Sequence, residues 1–133
     1  MIVDSPRRYA AAAALTTLLA LGVSGCASDL DQAVAKGCDG LRTMSQSYLS
    51  GDRAAFDRGL DQGWSFGAAA ELEDPQDQPR EIVRIGLDAV KVFDLAAYEP
   101  AEQNNGKSVW RGKPLTPEEQ AQITRAMGAC DAR

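Results

Sequence analysis

The run from Ile82 to Ala96 constrains this chain more than any other stretch. Ile82, Val83, Ile85, Leu87, Ala89, Val90, Val92, Phe93, Leu95 and Ala96 leave only Arg84, Asp88 and Lys91, with Glu81 just before them, as charged positions. Those four form one narrow stripe at ion-pair spacing. A helix that is apolar nearly all round must be surrounded by other elements, so the pattern predicts the buried centre of a helical bundle. Pro79 suits the first turn of this helix, where a missing N–H is harmless, and Pro100 stops it. The charged stripe reads as the solvated edge of the helix, not as a catalytic carboxylate pair.

The flanking segments supply partners for that centre. Leu30, Val34, Cys38, Leu41, Met44 and Tyr48 recur every three or four residues, which is one face of an amphipathic first helix. Gly37 and Gly40 each weaken such a helix by about 1 kcal/mol relative to Ala, which predicts a bend near its middle. Leu49-Ser50-Gly51-Asp52 then reads as a stop followed by a new cap. A second helix is expected from Arg53 to Leu72, with Phe56, Leu60, Trp64, Ala68 and Leu72 spaced by four. Beside that row lies a row of small residues, Ala55, Gly59, Gly63 and Gly67. Two readings stay open here. The small row lets another backbone approach closely, whether a neighbouring helix or a partner, or its three glycines break the helix. Asp57, Arg58 and Asp61 exclude a membrane-spanning helix at this place.

Glu73 to Gln78 is an acidic connector punctuated by Pro75, without the ligand spacing of a calcium loop. Gln103-Asn104-Asn105-Gly106 signals a turn, and a short ribbon around it is compatible but not required. Trp110, with Arg111 and Lys113, is the one aromatic and basic spot on the chain. It reads either as a contact hot spot or as a tryptophan folded over the core. Thr116-Pro117-Glu118-Glu119 opens the last helix with a capping box. Ile123, Met127 and Cys130 share a face of that helix and would bring Cys130 towards Cys38. A disulfide between them closes a loop of about 90 residues and stabilises the fold by about 4–5 kcal/mol in the chain-entropy model. The spacing of the apolar positions thus predicts an all-α, four-helix bundle-like domain; a disulfide joining its first and last helices is expected if the domain lies outside the cytoplasm, where two cysteines of a small domain pair.

The N-terminus decides the compartment. Arg7 and Arg8 precede Tyr9 to Val23, a run that is apolar apart from Thr16 and Thr17. A basic start, a short apolar stretch and small residues at its end describe a secretory signal peptide. The stretch falls short of the roughly 20 apolar residues that span a bilayer. Its last four residues, Val23-Ser24-Gly25-Cys26, resemble the lipobox of bacterial lipoproteins: an aliphatic residue, two small ones and a cysteine. The resemblance covers Arg7 to Cys26 and implies cleavage between Gly25 and Cys26, with a diacylglyceryl group on the Cys26 thiol and a further acyl chain on its amine. Residues 1–25 would then be removed, and residues 26–133 would form one lipid-anchored domain. Two acyl chains hold a protein stably where one holds it only marginally. The implied location is the outer side of a bacterial cell membrane, the outer membrane if the cell has two.

Composition narrows what such a domain does. Without histidine, Ser-His-Asp and Cys-His catalysis and the commonest transition-metal ligand are excluded. Residues 26–133 carry 12 basic and 18 acidic side chains, which disfavours nonspecific nucleic-acid binding. Glu118 and Glu119 are adjacent, so they do not face each other as an acid/base pair. No catalytic residue, metal or cofactor beyond the lipid on Cys26 is expected. The expected function is a non-enzymatic interaction module for an envelope protein, with Gly59, Gly63, Gly67 and Trp110 as candidate partner contacts. The alternatives are a small-ligand carrier with a pocket near Trp64, Phe66 and Phe93, or a phage-type lipoprotein that blocks a second infection.

Overall fold

Residues 28–76, 80–99 and 105–133 are described by the computed structural model. Helix α1 spans Asp29–Ser50, α2 Arg53–Gly63, α3 Ser65–Leu72, α4 Glu81–Ala97 and α5 Pro117–Asp131. Strands β1 (Tyr98–Glu99) and β2 (Val109–Trp110) pair antiparallel between α4 and α5. The fold is therefore mostly helical, with α2 and α3 forming one broken arm of a four-helix bundle. Helix boundaries follow the local chemistry. Ser28 caps α1 by accepting the Asp31 N–H at 3.1 Å, and Gly51 ends it with φ 75°, a left-handed conformation that favours glycine. Asp52 then caps α2 through the Ala55 N–H at 3.1 Å.

The glycine row of the second segment does both things its sequence allowed. The helix breaks at Trp64, which is the end of α2 and the start of α3 and keeps a helical φ of −63°. The Trp64 carbonyl accepts the Gly67 N–H at 2.9 Å, so the chain tightens through the break instead of leaving the helical path. Upstream of it, Gly59 and Gly63 lie directly against α1. A Cβ built on Gly40 would stand 2.3 Å from the Gly63 nitrogen and 2.6 Å from the Gly59 oxygen. Backbone meets backbone here, and no larger residue fits. Helix α1 runs through Gly37 and Gly40 without interruption, although both glycines lower its helix propensity. The reason is that both glycines are contact points. Gly37 on α1 and Gly86 on α4 flank the Phe66 ring, which is fully buried between them, with Cβ positions 2.7 and 2.6 Å from it. Burying that ring contributes about 2–3 kcal/mol, which offsets the helix propensity given up at the glycines.

The core joins Val34, Leu41 and Met44 of α1 to Phe56, Phe66, Val83, Val90, Phe93 and Ile123. Helix α4 was expected at its centre, but it shares that place with α1, since each of them touches every other helix. Leu95, counted among the apolar positions of α4, is 60% exposed, and Ile82, Leu87 and Val92 are only partly buried. Cys38 and Cys130 are buried and bonded to each other, with Cα atoms 5.7 Å apart, which links the first helix to the last. The capping box of α5 is complete. Thr116 Oγ1 accepts the Glu119 N–H at 3.1 Å, and the Glu119 carboxylate accepts the Thr116 N–H at 2.9 Å.

Candidate interaction surface

The candidate contacts named from sequence fall into three environments. Gly59 and Gly63 are buried against α1, so the neighbouring helix occupies the surface that a partner would have used. Gly67 is freer: a Cβ there would have only Leu87 Cδ1 near it, at 4.0 Å. Leu87 also lines a cleft of about 520 Å³ between α3 and α4, with Ala70, Glu73, Asp74, Val83 and Arg84. Gly25 and Cys26 lie outside the described residues.

Trp110 is held by the core. Its ring stands edge-on to Phe56 at 5.3 Å and to Tyr98 at 5.4 Å. Gly112, with φ 52°, lets the chain turn close over it, because a Cβ would lie 3.1 Å from the indole nitrogen. The Tyr48 hydroxyl donates to the Lys113 carbonyl, and the Tyr98 hydroxyl donates to the Asp57 carboxylate. Burial pushes the pKa of both tyrosines up. These bonds clamp the ribbon to the bundle, so Trp110 anchors it from beneath while Val109 and Arg111 remain exposed. The ligand pocket expected near Trp64, Phe66 and Phe93 is not formed by those residues. Phe66 fills its slot, Phe93 borders free space of only about 30 Å³, and Trp64 stands partly exposed at the helix break. That space is enough for a water or two and for no organic ligand.

The surface that sequence reasoning treated as a plain solvated edge has more structure. Arg84, Ile85, Asp88 and Lys91 of α4, with Gln122 and Arg125 of α5, line a groove of about 400 Å³. Ile85, buried, contributes an apolar surface to it. The Arg125 guanidinium is bonded to the Glu81 carboxylate, and Arg84 lies 4.0 Å from the same carboxylate. One turn beyond Lys91 is Leu95, whose carbonyl accepts from Arg111 Nη2 at 2.6 Å. The Lys113 N–H reaches the Ala96 carbonyl at 3.0 Å, which ties the backbone after β2 to the same end of α4. From Arg84 to Leu95 this strip rises about 16 Å along the helix. Its signal was present in the sequence: the intervals Arg84, Asp88, Lys91, Leu95 are four, three and four, so Leu95 belongs to the polar stripe.

Two carboxylates outside the strip have shifted acidity. Burial holds Asp94 above the usual carboxylate range. Glu119 is held below it, first by the backbone N–H of Thr116 and also by the nearby charges of Lys113 and Arg111. Among the described residues no cluster of three or more Cys, Asp or Glu is placed to hold a metal ion, and no helix is long and apolar enough to cross a membrane. No family model matches the chain, and neither a curated protein nor a solved structure is detectably similar to it.

Proposed function

We propose that this chain is an envelope lipoprotein, tethered outside a bacterial membrane through Cys26, whose helical domain works by binding a partner protein and not by catalysis. Arg7-Arg8, the apolar run and Val23-Ser24-Gly25-Cys26 support the tether. The observation that carries the binding half is Leu95. It is one of the exposed large apolar side chains, with Leu49, Leu72, Val109 and Trp64, and its carbonyl is held by the Arg111 guanidinium. Arginine is enriched at contact centres, and the apolar side chain beside it adds area to bury.

The first test is the intact mass of protein extracted from membranes. The reading expects residues 26–133 plus two or three acyl chains, and an unacylated chain starting elsewhere would overturn the tether. The second is chemical crosslinking in cells, comparing the wild type with Cys26→Ser. A reproducible adduct that disappears in the unlipidated variant is expected. Its absence from the wild type would overturn the interaction reading.

A further inference from the structure

We propose that the end of the bundle where α1 begins is a membrane-facing surface, which rests on an uncharged lipid headgroup layer and is held off an anionic one. The proposal rests on the tether at Cys26 and adds how the domain stands on it. Only Ala27 separates Cys26 from Ser28, the residue that caps α1. Two residue steps reach at most about 7 Å. A lipidated Cys26 therefore keeps the start of α1 beside the headgroups.

The contacts of α1 fix what comes with it. Asp31, in its first turn, is paired with Arg80 at 2.5 Å, and the Arg80 backbone N–H donates to the Glu73 carboxylate at 2.9 Å. The Arg125–Glu81 pair brings the later part of α5 beside the start of α4. The end of α3, the start of α4 and the end of α5 thus share the anchored end. Helix α1, of 22 residues, rises about 33 Å from it. At its far end the Tyr48 hydroxyl donates to the Lys113 carbonyl, so the ribbon lies away from the anchor. The exposed apolar side chains divide accordingly. Leu49, Leu95 and Val109 lie at the far end, and Leu72, 50% exposed, lies at the anchored end with the exposed Pro75.

Charge decides which headgroups that end accepts. Around it the described carboxylates are Asp29 and Asp31 of α1, Glu71, Glu73 and Asp74 at the end of α3, then Glu81 and Asp131. The guanidiniums there are Arg80, Arg84, Arg125 and Arg133, and Lys36 stands two turns up α1. The carboxylates outnumber the cations even with Lys36 counted. The reach of the tether is shorter than the Debye length, about 10 Å at 0.1 M salt, so this end feels the potential of an anionic leaflet. Over uncharged headgroups the repulsion is absent, and Leu72 and Pro75 make the contact.

The test uses the acylated protein extracted from membranes, with its intact mass measured first, in phosphatidylcholine vesicles carrying spin-labelled headgroups. A fluorophore is attached at Leu72→Cys or at Leu49→Cys, since lipid blocks Cys26 and the disulfide blocks Cys38 and Cys130. Quenching at position 72 should exceed that at position 49 by about threefold or more, because position 49 stands about 30 Å further along α1. Phosphatidylglycerol in the vesicles should cut the quenching at position 72 by about half or more at 0.1 M salt, and about 1 M salt should restore it. Asp29→Asn with Asp74→Asn should reduce this dependence on lipid charge. Asp61→Asn with Glu118→Gln changes net charge equally at exposed positions away from the anchored end and should leave it unchanged. Circular dichroism checks that the variants fold. Equal quenching at the two positions, stronger quenching at position 49, or quenching at position 72 that ignores lipid charge would overturn this surface. An acylated mass with such a pattern leaves the tether standing and sinks the surface alone, whereas an unacylated mass overturns both.

Discussion

The seam between α1 and α2 and the outward face of α4 are built on opposite plans. In the seam, Gly40, Gly59 and Gly63 bring two backbones together so closely that a single Cβ would stand 2.3 Å from a nitrogen. On the α4 face, long charged side chains border a groove of about 400 Å³ with Ile85 among its lining. In the sequence the glycine row allows a neighbouring helix, a partner or a break, and the charged stripe reads as a plain edge. The difference shows that a small-residue row marks close approach without saying to what. A charge stripe, in turn, becomes a surface of interest only when a second helix gives it concavity.

The disulfide ties the two regions together, since Cys38 sits on the seam helix and Cys130 on the helix that walls the groove. Replacing both with alanine should lower stability by about 2–5 kcal/mol in urea unfolding, the largest effect foreseen here. If the loss is far smaller, the seam holds the fold alone and the last helix is an accessory. Next in size is Gly40→Ala, expected to destabilise by about 3 kcal/mol because its neighbours are backbone atoms that cannot step aside. Gly128 makes the matched contrast. A Cβ there meets nothing within 4 Å, so Gly128→Ala should stabilise α5 by about 0.5–1 kcal/mol. Thermal unfolding of the two variants checks whether tightness belongs to the seam and not to glycine as such.

These expectations also show what was legible beforehand. The disulfide was readable because Cys38 and Cys130 each sit at a core position of a periodic helix, and the α5 start because Thr116 and Glu119 satisfy one another locally. The role of Gly37 and Gly86 was not readable. It depends on Phe66 of a third helix entering between them, a tertiary fact with no local trace. The break at Trp64 has no unique sequence signal, because glycine spacing fits a closely packed helix as well as an interrupted one. Leu95 reads as a core position by hydrophobicity, yet its place in the four-three-four interval of the charged stripe turns it outward.

The smallest foreseen effect concerns Asp94, in the last turn of α4. Burial raises its folded pKa above the unfolded value, so the native state binds this proton more tightly. The resulting stability is fully present below the unfolded pKa and is lost as pH rises through the folded one. Asp94→Asn should therefore raise stability at neutral pH by less than about 0.5 kcal/mol and give no gain in acid. Glu119 runs the other way. Its lowered pKa contributes stability above the unfolded value, and this is lost as pH falls through the folded one. Unfolding curves of Asp94→Asn and Glu119→Gln at acid and neutral pH separate the two signs.

The most direct test of the account is site-specific photocrosslinking in intact cells from two exposed positions, Leu95 on the α4 face and Ala68 on α3. The account predicts a reproducible protein adduct from position 95, lost in the Cys26→Ser background, and none from position 68. Equal adducts from both positions, or an adduct from position 68 alone, would contradict it.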